Sequence, residues 1–104
     1  MADQLTVRSA VEGSTATIAV SGHLSGGTAI ELLDAVRRAL EANVARIDID
    51  LSRLSSFDNG GPASLATCHE WCSRLPDGLH YGTESEAGQA ALLAAFNAAE
   101  SAAF

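Results

Sequence analysis

The strongest constraint on this chain is an apolar period that changes and then changes back. Thr15-Ala16-Thr17-Ile18-Ala19-Val20 alternates with a period of two, residues 29–41 switch to helical spacing, and Ala45-Arg46-Ile47-Asp48-Ile49-Asp50-Leu51 returns to alternation. A helix between two strands of one sheet makes those strands parallel, joined by a right-handed crossover. An earlier alternating run, Leu5–Val11, meets the second strand across Glu12-Gly13-Ser14, which predicts an antiparallel hairpin. The chain must therefore build a mixed sheet with helices packed on it. All-helical and all-β architectures are excluded.

The helical segment opens at Thr28, read as an N-cap, with Glu31 completing a capping-box pattern. Ala29, Leu33, Val36 and Leu40 form its apolar stripe, with Leu32 beside them. Glu31, Asp34, Arg37, Arg38 and Glu41 form the polar face, where Asp34 and Arg38 make an i,i+4 pair in the better orientation. Ser21–Gly27 reads as a polar, Gly-rich connection. Pro62 suits the first turn of a second helix, whose stripe is Leu65, Cys68, Cys72 and Leu75. Pro76-Asp77-Gly78 ends it. Leu79–Thr83 predicts a short fourth strand, and residues 85–100 a last helix with Leu92, Leu93 and Phe96 on one face. The expectation is one α/β domain over residues 1–104, with a mixed four- to five-stranded sheet, helices mainly on one side, and the order β-β-α-β-α-β-α.

Aromatic residues make up only 5% of the chain, so the core must come from Leu, Ile, Val and Ala. Thirteen acids face six bases, all arginine, for a net charge of −7. That balance argues against nucleic acid and anionic membrane as partners, but leaves a basic protein face open. No run approaches the ~20 apolar residues that span a bilayer. The first residues, Met1-Ala2-Asp3-Gln4, carry neither a basic nor an apolar leader region, so a cytoplasmic protein is expected. There, Cys68 and Cys72 would be free thiols.

The chemistry-bearing residues are sparse. Cys68 and Cys72 share a helix face, but His69 lies about 100° round from Cys68, and no second Cys or His cluster completes a tetrahedral set. Small buried core cysteines are the better reading, with no metal or cofactor. His23, His69 and His80 have no nucleophile beside them in a recognisable motif, and a chain without lysine has no Walker A sequence. No enzyme activity is expected. Asp48 and Asp50 share one strand face, and Asp50 is read as capping the turn that follows.

The informative junction is Asp58-Asn59-Gly60-Gly61-Pro62, an exposed turn into a helix N-terminus with free backbone N–H groups. Such a terminus can meet an anion or a partner's side chain. Along the helix that follows, Ser64, Thr67, Trp71 and Arg74 form a second stripe about 100° from the core stripe. Trp71 is the chain's only tryptophan, and Trp and Arg are over-represented at interface hot spots.

The order of elements, together with Ala19-Val20-Ser21-Gly22-His23-Leu24, Ile49-Asp50-Leu51-Ser52 and Phe57-Asp58-Asn59-Gly60-Gly61, resembles the STAS domain over roughly residues 5–100. Its best-known members are bacterial anti-sigma factor antagonists, whose motif at the last site is Asp-Ser-Ser/Thr-Gly. The resemblance implies docking on an anti-sigma factor that is itself a serine kinase of the histidine-kinase-like ATPase type. In those antagonists a phosphate on the first serine of the motif disrupts docking. Here that position is Asn59, which has no hydroxyl to phosphorylate. A second branch carries Asp-Thr-Gly-Gly. It is the STAS subunit that binds the ATPase of a phospholipid-transport ABC complex, and Asp58-Asn59-Gly60-Gly61 is similar to it as well. Either way the resemblance implies partner contacts at Asp58, Asn59, Gly60, Gly61, Ser64, Thr67 and Trp71, transcription regulation by partner switching in the first branch, and no catalysis.

Overall fold

The computed structural model describes residues 4–58, 60–83 and 85–102, with side chains described as far as Ala95. The elements run β1 (Leu5–Glu12), β2 (Thr15–Leu24), α1 (Ala29–Glu41), β3 (Arg46–Phe57), α2 (Gly60–Trp71), β4 (Gly78–Gly82) and α3 (Glu86–Ala102). A single 3-10 turn, Cys72–Arg74, follows α2. The order β-β-α-β-α-β-α is the one the alternating and helical periods predict.

The strands form one four-stranded sheet in the order β1-β2-β3-β4. β1 and β2 are antiparallel, while β2–β3 and β3–β4 are parallel, as crossover helices require. Ala16, Ile18 and Val20 of β2 and Ile47, Ile49 and Leu51 of β3 point to the same side and are buried there. Ala29, Leu32, Val36 and Ala39 of α1, Leu65, Cys68 and Cys72 of the second helical segment, and Ala91 and Ala95 of α3 close over them in one core. The other sheet face carries Arg8, Thr17, Asp48 and Asp50 and stays at least partly solvated. This one-sided arrangement places the C-terminal ends of β2 and β3 and the N-termini of α1 and α2 along one rim.

Both central strands are longer than their alternation suggests. β2 continues through Ser21–Leu24, which the sequence reads as a loop, and β3 continues through Ser52–Phe57. In β2 the alternation runs on through Gly22 and Leu24 behind polar residues; in β3 the reason is register. Between the pairs Ala19↔Asp50 and Ser21↔Arg53, β2 advances two residues and β3 three. Between Gly22↔Leu54 and His23↔Ser56, β3 again gains one. Each extra residue is a bulge that reverses which face the following side chains take, and that masks the period. Gly22, at the second shift, has a φ of +102°, a conformation open to glycine at little cost. The first bulge interrupts the ladder near the Leu51 carbonyl, which accepts hydrogen bonds from the Thr83 and Ser85 hydroxyls at 3.2 and 3.1 Å.

Three details of the helices depart from the sequence reading. Thr28 stands at the N-cap of α1 but makes no side-chain cap bond to the helix; its bonds close the turn before it. The Thr28 N–H donates to Ser25 Oγ (3.1 Å), the Ser25 N–H donates to Thr28 Oγ1 (2.9 Å), and the Ala29 N–H donates to the Ser25 carbonyl (2.8 Å). This is the reciprocal capping box, with threonine in the place of glutamate, while Glu31 is exposed. Ala39 is buried and Leu33 and Leu40 flank the core, because the core face centres on Leu32 and Val36. In α3 the core contacts come from Ala91 and Ala95, and Leu93 is 64% exposed. Small side chains let this helix pack close, so Leu92 sits at the edge and Leu93 outside. The Phe96 side chain lies outside the described residues. The pairing of Asp34 with Arg38 is present at 3.1 Å, with Arg37 as a closer partner at 2.6 Å.

Candidate docking turn and its neighbours

At the rim, β3 ends at Phe57 and α2 begins at Gly60. Asp58 joins them. Its backbone N–H donates to the Leu24 carbonyl (3.0 Å), and its carbonyl accepts from the Gly61 N–H (3.0 Å). One carboxylate oxygen, Oδ1, accepts from the Gly60 N–H at 2.8 Å and from the Gly26 N–H at 3.3 Å. Asp58 thus caps α2 and also clamps the β2–α1 loop to the turn. A carboxylate at a helix N-terminus is favoured by the dipole and by the orphan N–H groups there.

The two glycines follow from that clamp. A Cβ on Gly60 would lie 2.4 Å from the Gly26 nitrogen and 2.5 Å from the Gly26 Cα. A Cβ on Gly61 would lie 2.9 Å from the Leu24 carbonyl oxygen and 3.1 Å from the Phe57 Cβ. Both obstacles are mainly backbone, so the loop and the turn touch only if these positions carry no side chain. Gly60-Gly61 is therefore a packing requirement before it is anything else.

The residues named from the sequence separate on this scaffold. Asp58 is exposed, Gly60 half-buried and Gly61 buried. Asn59 lies outside the described residues. Ser64 is buried at 5% exposure and donates its hydroxyl to the Gly61 carbonyl at 2.6 Å, so it braces the first turn of α2 and presents no surface of its own. Thr67 is half-buried, and its hydroxyl donates to the Ala63 carbonyl at 3.0 Å. Trp71 closes α2 with 41% of its surface exposed. The turn and the tryptophan bracket a helix of 12 residues, about 18 Å long. The structure gathers Asp58, Gly60, Gly61 and Ser64 at one end and leaves Trp71 at the other.

Sequence reasoning missed the second half of the rim. Ser25, Gly26 and Thr28 form a braced loop against the turn, with the Thr28 hydroxyl donating to the His23 carbonyl at 2.9 Å. His23 Nδ1 and Ser56 Oγ lie 2.6 Å apart, and Ser55 Oγ donates to the Gly22 carbonyl at 2.9 Å. Ile30, in the first turn of α1 beside this loop, is 69% exposed. Its signal was present in the sequence, as the one large apolar residue on the polar side of α1 next to Glu31, Asp34 and Arg37.

The cysteines are deep in the core. Burial pushes the Cys68 thiol up to about 12 and the Cys72 thiol up to about 11, which leaves both protonated and unreactive at neutral pH. Asp50 is exposed on the open sheet face and accepts from the Ser52 N–H at 2.9 Å. Hydrogen bonding from Ser52, its side chain first and then this N–H, holds the Asp50 carboxyl below the ordinary range. Depressions lie on α1 and on the open sheet face.

The family model described as "Mlab, STAS domain" matches residues 7–100. The chain belongs to the STAS domain family. Its fold is that of a solved anti-sigma factor antagonist from Mycobacterium paratuberculosis, at a TM-score of 0.78 and 19% identity, covering 96% of this chain and 83% of that one. The STAS fold also matches part of Mglu in its native form, at a TM-score of 0.64 and 14% identity, covering 74% of this chain and 23% of that one. A second Mglu structure matches at a TM-score of 0.61 and 19% identity, over 75% of this chain and 19% of that one. These STAS likenesses carry the fold alone. No curated protein matches this STAS chain by sequence. No helix among its described residues is long and apolar enough to cross a membrane.

Proposed function

We propose that this STAS domain is a non-catalytic interaction module of the anti-sigma antagonist type. It docks on a partner ATPase through the Asp58–Gly61 turn and the exposed flank of α2. The observation that carries this reading is the clamp on the turn. Asp58 Oδ1 accepts from both Gly60 and Gly26 N–H groups, so the rim is rigid before any partner arrives and binding need not order it. The polar groups around it are occupied by one another. Ser55, Ser56, His23 and Ser64 each have a hydrogen bond within the rim, an arrangement suited to holding shape. Trp71 supplies a large, half-exposed aromatic anchor at the far end of the same helix.

Asn59 cannot take a phosphoryl group, so in this reading the module is always competent to bind. The second reading is a STAS subunit that supports the ATPase of an ABC-type phospholipid transporter. It is favoured by the hydroxyl-free Asp58-Asn59-Gly60-Gly61 sequence and by a matching family model described as Mlab. Affinity capture on the immobilised chain separates the two. Retention of a small histidine-kinase-like ATPase supports the first, and retention of an ABC ATPase supports the second. Retention of neither, under conditions where the folded chain is intact, refutes both.

A further inference from the structure

The sheet face opposite the helices holds a depression of about 510 Å³ whose lining includes Thr6, Arg8, Ala19, Ser21, Asp50 and Arg53. The first bulge of β3 creates it. With an unbroken ladder Ser52 would stand beside Ser21. The extra residue brings Arg53 there instead, on the open face. Arg8 enters the same face from β1, beside Ala19, and Thr6 stands beside Ser21. β1 and β3 flank β2, and Arg8 and Arg53 stand beside positions two residues apart in it, so the two arginine backbones are about 12 Å apart across the sheet. Both side chains are long enough to meet over the floor between them, and Ala19 and Ser21 keep that floor low.

Arg37, Arg38 and Arg46 all form ion pairs, while neither Arg8 nor Arg53 does among the described residues. Arg53 nonetheless lies near enough to Asp50 to help the Ser52 hydrogen bonds hold that carboxyl below its ordinary range. Asp50 lies at the rim, but its Oδ1 accepts from the Ser52 N–H at 2.9 Å. Two arginines against one carboxylate leave the depression positive on a chain whose net charge is −7. Guanidinium forks match the geometry of carboxylate and phosphate oxygens.

We propose that Arg8 and Arg53 hold a small oxyanion, a carboxylate or a phosphate monoester, over Ala19 and Ser21, with the Thr6 and Ser21 hydroxyls as further donors. This site lies on the opposite side of the sheet from the helices, and its test does not depend on the docking turn. The test is an amide NMR titration of the whole chain with methyl phosphate and, separately, acetate, sodium chloride keeping ionic strength constant. Saturable shifts at Thr6, Arg8, Ala19, Ser21 and Arg53 are expected, with the tighter of the two anions naming the group. Binding should weaken about tenfold or more in Arg8→Gln and in Arg53→Gln, the loss expected for one charge-assisted contact. The same spectra report whether each variant is folded. Shifts that do not saturate, that appear at Gly60 and Gly61 instead, or that persist undiminished in both variants would overturn the assignment.

Discussion

Replacing Gly60 by alanine sets two physical effects against each other. Gly60 opens α2, where alanine should be the better helix former by up to about 1 kcal/mol. Propensity alone therefore predicts a more stable protein. The added Cβ would, however, sit 2.4 and 2.5 Å from backbone atoms of Gly26. Ordinary contact begins near 3.4 Å, so the β2–α1 loop and the turn must separate by about 1 Å, a shift that a tightly packed contact accommodates at a cost. That separation stretches the Gly26 N–H contact to Asp58 Oδ1, already 3.3 Å, beyond useful length. It also disturbs the Gly60 contact at 2.8 Å. A hydrogen bond to a charged acceptor contributes about 1.5–3 kcal/mol, and overpacking costs a similar amount. Allowing for solvent around Asp58 and for the helix gain, the net expectation is a loss of about 1–3 kcal/mol. At this chain length that is a fall in melting temperature of about 5–20 °C. Urea denaturation followed by circular dichroism measures it. Gly82→Ala is the control, since a Cβ there would meet nothing within 4 Å and its φ is not positive. A Gly60→Ala protein as stable as the parent, or more so, would refute the idea that the glycine exists to let loop and turn touch.

Three further outcomes follow from the same structure. Removing both hydroxyls that reach the Leu51 carbonyl, in Thr83→Val with Ser85→Ala, should cost about 1–3 kcal/mol, whereas Ser73→Ala, which loses only an exposed contact to Glu70, should stay within about 0.5 kcal/mol. Paired urea curves decide this. Alkaline pH should weaken the fold. Burial raises the Cys68 and Cys72 thiols to about 12 and 11 from an ordinary value of 9.0, and burial also drives the Tyr81 phenol up, with both thiols adding to the effect. The unfolded chain ionises these groups first, so the stability they contribute is whole below about pH 9 and is lost as pH rises toward 12. A urea midpoint that holds constant or rises between about pH 8 and pH 10.5 would contradict it. Finally, incubation with a cognate partner kinase and ATP should leave residues 55–64 without stoichiometric phosphate. Phosphate found there by mass spectrometry would end the view that the module is always competent.

How much was legible in advance depended on whether periodicity survived. The hairpin, α1 and the parallel crossover carry unbroken period-2 and helical patterns, and all three are present in the structure. The end of β2 keeps the alternation but hides it behind polar residues and Gly22, and the end of β3 loses it because two bulges reverse the pleat. Arg53 and Leu54 consequently face where a simple alternation would not put them. Thr28 does hold the N-cap position of α1, but its hydroxyl is engaged with Ser25 and the His23 carbonyl, so the reciprocal box forms one turn earlier and leaves Glu31 exposed. In α3 the large residues carry the stronger apolar pattern, yet Ala91 and Ala95 make the close contact. At the candidate site, Asp58 and the glycine pair were visible as a turn. The reason for them was not, since Gly26 is distant in sequence and only the fold brings it against Gly60. Ser64 shows the converse. Helical spacing placed it beside Trp71, but the start of α2 lies against the core and buries it.

The central claim is that the rim formed by the Asp58–Gly61 turn, together with Trp71, is where a partner ATPase sits. Amide hydrogen exchange of the chain, alone and bound to the ATPase it captures, tests this most directly. Protection should concentrate in residues 24–30 and 57–71, and Trp71→Ala should weaken capture about tenfold or more, as an aromatic anchor would. Protection confined to the open sheet face or to the outer edge of β1, with Trp71→Ala binding as well as the parent, would contradict it.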